Sequence, residues 1–323
     1  MALLRDDPGF AVAIGRAADG IGGLDAAFVE KDYWVTQVLR ALHTEYPHGF
    51  VFKGGTSLSK GYGIIERFSE DVDILVVPVA GASIRDAEAH LRAITGSVAG
   101  FLGLEWEQGR EPGRGREAHR GDLIHFEPVT EAGLQLGIRP GAVLLETGYS
   151  GGREPAEMVE ITPILCEPLG INPAEYEDTT PFQLRALEPR RTLIEKLFGL
   201  HHLATLWLAG EIRDDERFGR HYYDIHKLLE HQPTLTKLEQ DRDTFDQLVV
   251  EVERVSQAQF GGTTPRPGPG FAESPAFQPG PDGELRDWLE GKFCESLALL
   301  PRPANPPSFG RVLQRVEQHR GLL

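Results

Sequence analysis

The sequence predicts an α/β fold in two lobes: a mixed sheet flanked by helices, then a mainly helical C-terminal half. Two observations lead there. Short apolar runs that suit buried strands alternate with helix-spaced segments up to about residue 180, and beyond that point the apolar spacing is helical. A third, the Gly/Pro-rich stretch Gly261–Gly283, reads as a loop within the second half. The expected domains are 1–180 and 181–323.

The elements follow in order. Leu24 to His43 places Phe28, Trp34, Val35, Val38, Leu39 and Leu42 at helical spacing. Pro47 and Gly49 end that helix, and Phe50-Val51-Phe52 suits a buried strand. Gly54-Gly55 makes a turn, and Thr56 to Ile65 reads as a helix with hydroxyls in its first turn. Asp71 to Val79 reads as a second strand, and Ala87 to Val98 as a helix. Glu105 to Glu127 surrounds an Arg/Gly-rich tip and predicts a hairpin. Leu134–Ile138 and Ala142–Thr147 are candidate strands. Pro189 to Gly210 is a strong helix, with Leu193, Ile194, Leu197, Leu200 and Leu203 on one face. Helices are also expected over Arg220–His231, Asp287–Leu299 and Arg311–Gln318.

Composition narrows the function classes. In 323 residues, 33 Lys+Arg against 49 Asp+Glu give a net charge of -16. Nonspecific nucleic-acid coating rests on a positive field and does not fit that balance, whereas a local basic groove on an acidic protein does. The two cysteines, Cys166 and Cys294, offer neither a disulfide framework nor zinc spacing. No apolar run approaches the ~18 residues of a membrane span. The N-terminus lacks the apolar core of a signal peptide. A cytoplasmic protein without a membrane partner is expected.

Chemistry concentrates between Lys53 and Val76, KGGTSLSKGYGIIERFSEDVDILV. A strand, two glycines and a helix start form a natural phosphate cradle, since glycine permits close backbone approach and helix N–H groups point at the anion. The stretch is not a P-loop, which would need Gly at Ser59 and Ser or Thr at Gly61. By itself the Gly-Gly turn is equally compatible with a structural cap. After fifteen intervening residues come Asp71 and Asp73, which strand alternation places on one face, with Val72, Ile74 and Val76 on the other. Adjacent carboxylates repel, and a divalent cation relieves the cost. A solvated strand edge is the plain alternative for an isolated D-x-D; the upstream turn argues against it.

This combination resembles the polymerase-β-type nucleotidyltransferases, and more closely the AbiEii/AbiGii-type nucleotidyltransferase toxins, which include the MenT toxins. The resemblance rests on VEKDYWVTQVLRAL, VFKGGTSLSKGYGIIERFSEDVDIL, RRTLIEKLFGL and RFGRHYYDIHKLL. It implies that Gly54, Gly55 and Ser57 hold the nucleotide, with Thr56 and Lys60 as further candidates, and that Asp71 and Asp73 bind metal. It also implies that Lys196 reaches the nucleotide phosphates and that Asp224 is the fourth-motif aspartate. That motif commonly reads R-D-x-x-D; here His221 replaces its first Asp. A third carboxylate is assigned to Glu146, with Glu160 as runner-up. The cofactor would be Mg²⁺ or Mn²⁺ and the substrate an NTP.

The resemblance further implies transfer of NMP to an RNA 3'-hydroxyl, the tRNA acceptor end above all, and a separate antitoxin protein. A nucleotide-binding defence module with little transfer activity, and NMP transfer to a protein hydroxyl, stand as alternatives. Lys60 and Arg67 are added cations or plain helix residues. Arg110, Arg114, Arg116 and Arg120 form a basic loop, and Arg185, Arg190 and Arg191 precede the Lys196 helix. Of these, Arg114, Arg116, Arg190 and Arg191 are the candidate RNA contacts. Trp34 reads as core, Glu30, Lys31 and Asp32 as pairing with neighbouring helices, and His201-His202 as structural.

Overall fold

Two helices, α1 (Phe10–Gly20) and α2 (Ala26–Glu45), open the chain. Asp25 caps α2 by accepting the Ala27 N–H at 2.9 Å, which supplies one of the donors a helix start leaves unpaired. The computed structural model describes residues 2–22, 24–67, 69, 71–78, 83–110, 118–130, 139, 141–149, 151–172, 175–211, 218–260, 264–280, 283–297, 300 and 305–323. The chain forms two compact units that meet in sequence between Leu187 and Glu188.

The first unit is built on a seven-stranded mixed sheet. Its strands are β1 (Phe50–Lys53), β2 (Asp71–Val76), β3 (Trp106–Arg110), β4 (His119–His125), β5 (Ala142–Gly148), β6 (Ala156–Ile161) and β7 (Phe182–Leu187). They lie in the order β3-β4-β5-β2-β1-β7-β6. β1 pairs antiparallel with β2, β2 pairs parallel with β5, and β1 pairs parallel with β7. A short helical run, α3 (Gly54–Thr56) continuing as a π turn over Ser57–Gly61, leaves β1, and α4 (Ile84–Leu102) leaves β2. A single turn, α5 (Cys166–Leu169), follows β6.

One face of the sheet is the core. Phe50, Phe52, Val72, Ile74, Val76, Val143, Leu145, Leu184 and Ala186 point there, into a cluster with Tyr33, Val38 and Leu42 of α2 and Ile94 and Val98 of α4. Trp34 stacks on Phe126 with ring centroids 5.0 Å apart, as core. Strand alternation turns Lys53, Asp71 and Asp73 to the other face, which also buries a small apolar cluster of Val51, Leu75 and Leu187.

Several boundaries differ from the sequence reading. α4 starts at Ile84, not Ala87, because Ser83 and Asp86 form a reciprocal cap. The helix after the Gly-Gly turn ends at Gly61, not Ile65, and β2 ends at Val76. The hairpin over Glu105–Glu127 is present as β3 and β4. α1, α5, β6 and β7 went unread, as did the helices Gln232–Gln240 and Arg242–Phe260. The proposed strand Leu134–Ile138 lies outside the described residues.

The second unit holds α6 (Pro189–Leu208), α7 (Arg220–Leu228), α8 (Gln232–Gln240), α9 (Arg242–Phe260), α10 (Glu284–Ser296) and α11 (Phe309–Gln318). Pro189 at the start of α6 has no N–H to leave unpaired. Tyr222 sits at its centre, fully buried, against Phe277, Phe293 and Phe309. Both cysteines are free thiols.

His201 on α6 is buried, with Ser274 Oγ 2.8 Å from Nδ1 and the Pro265 carbonyl 3.0 Å from Nε2. An Nε2–H donating to the carbonyl satisfies the neutral ring. Burial holds its pKa below the ordinary 6.5. The unfolded chain then takes up this proton first, so the stability is present above pH 6.5 and declines as pH falls below it. The thermal midpoint is predicted to drop between pH 7.5 and 5.5, with a smaller drop in His201→Asn. An equal drop in both proteins contradicts this assignment.

Candidate active site

The face of the sheet opposite the main core carries the motif residues. Asp71 and Asp73 are half-buried on it, two residues apart on β2. Parallel pairing sets Glu146 of β5 directly beside Asp73, and partners in register share a face at a strand spacing of about 4.8 Å. Glu160 lies on β6, separated from β2 by β1 and β7. That is three spacings, or about 14 Å. Of the two candidate third carboxylates, Glu146 is the one adjacent to the pair.

The Gly-Gly turn closes on the same place. β1 runs antiparallel to β2 with Lys53 opposite Asp73, so the next residue, Gly54, leaves the sheet beside the Asp73 carboxylate. Gly54 has φ +77°, and a Cβ there would lie 2.2 Å from Asp73 Oδ2. A Cβ on Gly55 would lie 2.5 Å from the Arg67 guanidinium and 2.8 Å from Ser69 Oγ. Thr56 donates its hydroxyl to the Asp71 carbonyl, tying the helix start to the start of β2. Ser57 is buried and donates to the Gly54 carbonyl at 2.9 Å.

Three consecutive charges on α2 brace this arrangement. Glu30 accepts the backbone N–H groups of Val129 at 2.7 Å and Thr130 at 3.0 Å. Lys31 donates to the carbonyls of Arg139, at 2.7 Å, and Ala142, the first residue of β5. Asp32 pairs with Lys60 at 2.7 Å and accepts the Ile164 N–H at 2.8 Å. Lys60 also donates to the Thr162 carbonyl at 3.2 Å. Of the three, Asp32 pairs with a helical run; Glu30 and Lys31 bind loop and strand backbone instead.

In the second unit Lys196 and Asp224 meet. Their charged atoms lie 2.8 Å apart, with side chains 9% and 0% exposed. α6 and α7 thus bring together two residues 28 positions apart in sequence. Such a pair persists only where attraction offsets the loss of hydration.

The comparisons bear on this geometry. The family model described as nucleotidyl transferase AbiEii toxin, type IV toxin–antitoxin system, matches residues 37–315. The chain belongs to the AbiEii nucleotidyltransferase toxin family. It is a nucleotidyltransferase and a toxin of a type IV toxin–antitoxin system. Among solved structures the chain is similar to MenT4, a nucleotidyltransferase toxin from Mycobacterium tuberculosis H37Rv, with TM-score 0.53 and 16% identity. The match covers 96% of this chain and 95% of that one, and shows a shared fold. No curated protein matches.

Within this AbiEii fold the motif residues form two groups. Gly54, Gly55, Asp71, Asp73 and Glu146 gather in the first unit, and Lys196 with Asp224 in the second. The arginines divide differently. Arg190 is buried on Glu188, with further bonds to the Lys237 carbonyl and Asp241. Arg191 is buried on Glu195 and Glu251. Both guanidinium groups are committed to internal pairs, which corrects the reading of these two as RNA contacts. Arg120 belongs to β4, not to a basic loop, and is buried on Asp122. Arg114 and Arg116 lie outside the described residues. Lys53 escaped the sequence reading, although alternation in FVFK places it with Val51 on the face opposite Phe50 and Phe52.

Two substitutions probe the geometry. Gly54→Ala strains the positive φ and pushes the Asp73 carboxylate, so nucleotidyl transfer is expected to fall at least tenfold with a lower thermal midpoint. Wild-type activity in Gly54→Ala would show that the close approach is dispensable. Asp224→Asn removes the carboxylate from the buried pair with Lys196, at an expected cost of about 3–5 kcal/mol in a urea titration. A change under about 1 kcal/mol would mean that the pair is not buried in solution.

Proposed function

We propose that the chain transfers a nucleoside monophosphate from an NTP to an RNA 3'-hydroxyl, with the tRNA acceptor end as substrate, and thereby blocks translation. The observation that supports this reading is the contact of the Gly54 turn with Asp73, where Glu146 stands in register on the other side. A phosphate-cradling backbone and an acceptor-activating carboxylate thus flank one metal-binding carboxylate. In-line displacement at phosphorus needs that order of parts, since catalysis there is mostly positioning and charge neutralisation.

The donor set fits a hard divalent cation. Asp71 and Asp73 present oxygen ligands, and Mg²⁺ or Mn²⁺ takes one or two carboxylates with the rest of its shell from water and substrate phosphates. Bound there, the ion would supply charge neutralisation at the triphosphate. Glu146 would accept the proton of the attacking hydroxyl. The Gly54-Gly55 backbone lets the triphosphate approach, and Thr56 and Ser57 hold the turn through their internal bonds. Lys60, paired with Asp32, steadies the same helical run. Lys196 and Asp224 are assigned to nucleotide handling on the motif match alone.

A separate antitoxin protein is part of this proposal. No helix among the described residues is long and apolar enough to cross a membrane, and the site of action is proposed to be the cytoplasm.

The test is incubation of the purified protein with total tRNA, Mg²⁺ and each labelled NTP in turn, beside Asp71→Ala. Label is expected in tRNA from at least one NTP, with at least a hundredfold loss in the variant. Label in protein would redirect the acceptor to a side-chain hydroxyl. No transfer despite nucleotide binding would favour a binding module.

A further inference from the structure

Lys53 is the last residue of β1, opposite Asp73 and one residue before Gly54. With Glu146 on the far side of Asp73, the sheet carries a row of three side chains in register across β5, β2 and β1: Glu146, Asp73, Lys53. The row is graded in charge, with carboxylates at one end and an ammonium at the other. The Gly54-Gly55 turn stands at the ammonium end.

The cations in this stretch differ in what they touch. Lys60 is held by Asp32 and the Thr162 carbonyl. Arg67 is buried, with its guanidinium against Gly55. Lys53 is half-buried and, among the described residues, has neither a hydrogen-bond nor an ion-pair partner. Opposite charges across an antiparallel pair normally attract, and a lysine has a four-carbon flexible stem to reach with. A half-buried lysine in register with a carboxylate it does not pair with is placed to reach an anion at the Gly54-Gly55 turn.

We propose that Lys53 is a phosphate-binding residue that takes the β- and γ-phosphates of the NTP and then the leaving pyrophosphate. This rests on the transferase reading above and fixes its direction across the sheet. The acceptor hydroxyl enters at the Glu146 end. Its oxygen bonds to the α-phosphorus as the bond from that phosphorus to the β-phosphate bridging oxygen breaks. The hydroxyl proton passes to Glu146, and the electron pair of the broken bond leaves on pyrophosphate beside the Lys53 ammonium. Atoms and charge balance with no further reactant.

The test compares wild type, Lys53→Met and Lys53→Arg in Mg²⁺ buffer. Equilibrium binding is measured for each NTP, for the matching nucleoside monophosphate, and for pyrophosphate as competitor. Removing one charge-assisted contact is expected to weaken NTP and pyrophosphate by about tenfold to a hundredfold. Monophosphate binding and the thermal midpoint are expected to stay as in wild type, and Lys53→Arg to recover most of the loss. Wild-type affinities in Lys53→Met, or an equal loss for monophosphate and triphosphate, overturn the assignment while leaving the transferase reading intact. A wild-type protein that binds no NTP overturns both.

Discussion

The antiparallel pairing of β1 with β2 is the constraint on which the site depends. It fixes Lys53 opposite Asp73, and so decides where the chain leaves the sheet. Gly54 can leave there only because it lacks a Cβ and tolerates a positive φ. Any larger residue would occupy the space of the Asp73 carboxylate. A one-residue slip of β2 would turn Asp71 and Asp73 into the core and Val72 and Ile74 out of it. The main core face of the sheet therefore enforces the register that the site on the opposite face uses.

That register is held from a distance by α2. The helix buries Tyr33, Val38 and Leu42 against the sheet, and Glu30, Lys31 and Asp32 reach the backbone at Val129–Thr130, the start of β5, and Lys60. Lys31 pins the first residue of β5, four residues before Glu146. Asp32 pins Lys60, at the end of the helical run that begins with Gly54. Buried charges are costly unless paired, so each of these contacts favours one loop position over its alternatives. Asp178 does similar work near the N-terminus, accepting the Leu4 and Arg5 N–H groups and the Tyr33 hydroxyl. Burial of Tyr33, with the Asp178 charge beside it, pushes the Tyr33 pKa up.

Much of this was legible in the sequence, for local reasons. The alternation of DVDIL assigns the two faces of β2, and helical spacing marks α2 and α6. A mixed sheet followed by a helical half was expected and is present. Two of the unread elements have a pattern that is weak locally. β6 and β7 sit at one edge of the sheet, where Met158, Glu160, Gln183 and Arg185 are exposed. Arg190 and Arg191 show the opposite failure. A basic pair reads as surface, but Glu188 and Glu195 nearby and Asp241 and Glu251 far along the chain turn both inward, and the distant partners are invisible to a linear scan. Lys53 stood in the motif itself, yet its significance depends on the strand opposite, which only the register reveals.

The most direct test of the account is a crystal structure of the protein with Mn²⁺ and an NTP analogue that resists cleavage, with Mn²⁺ placed by its anomalous signal. The account predicts the ion within ligand distance of Asp71 and Asp73 and the triphosphate against the Gly54-Gly55 backbone. Well-ordered nucleotide bound elsewhere, with no ion at those two carboxylates, would contradict it.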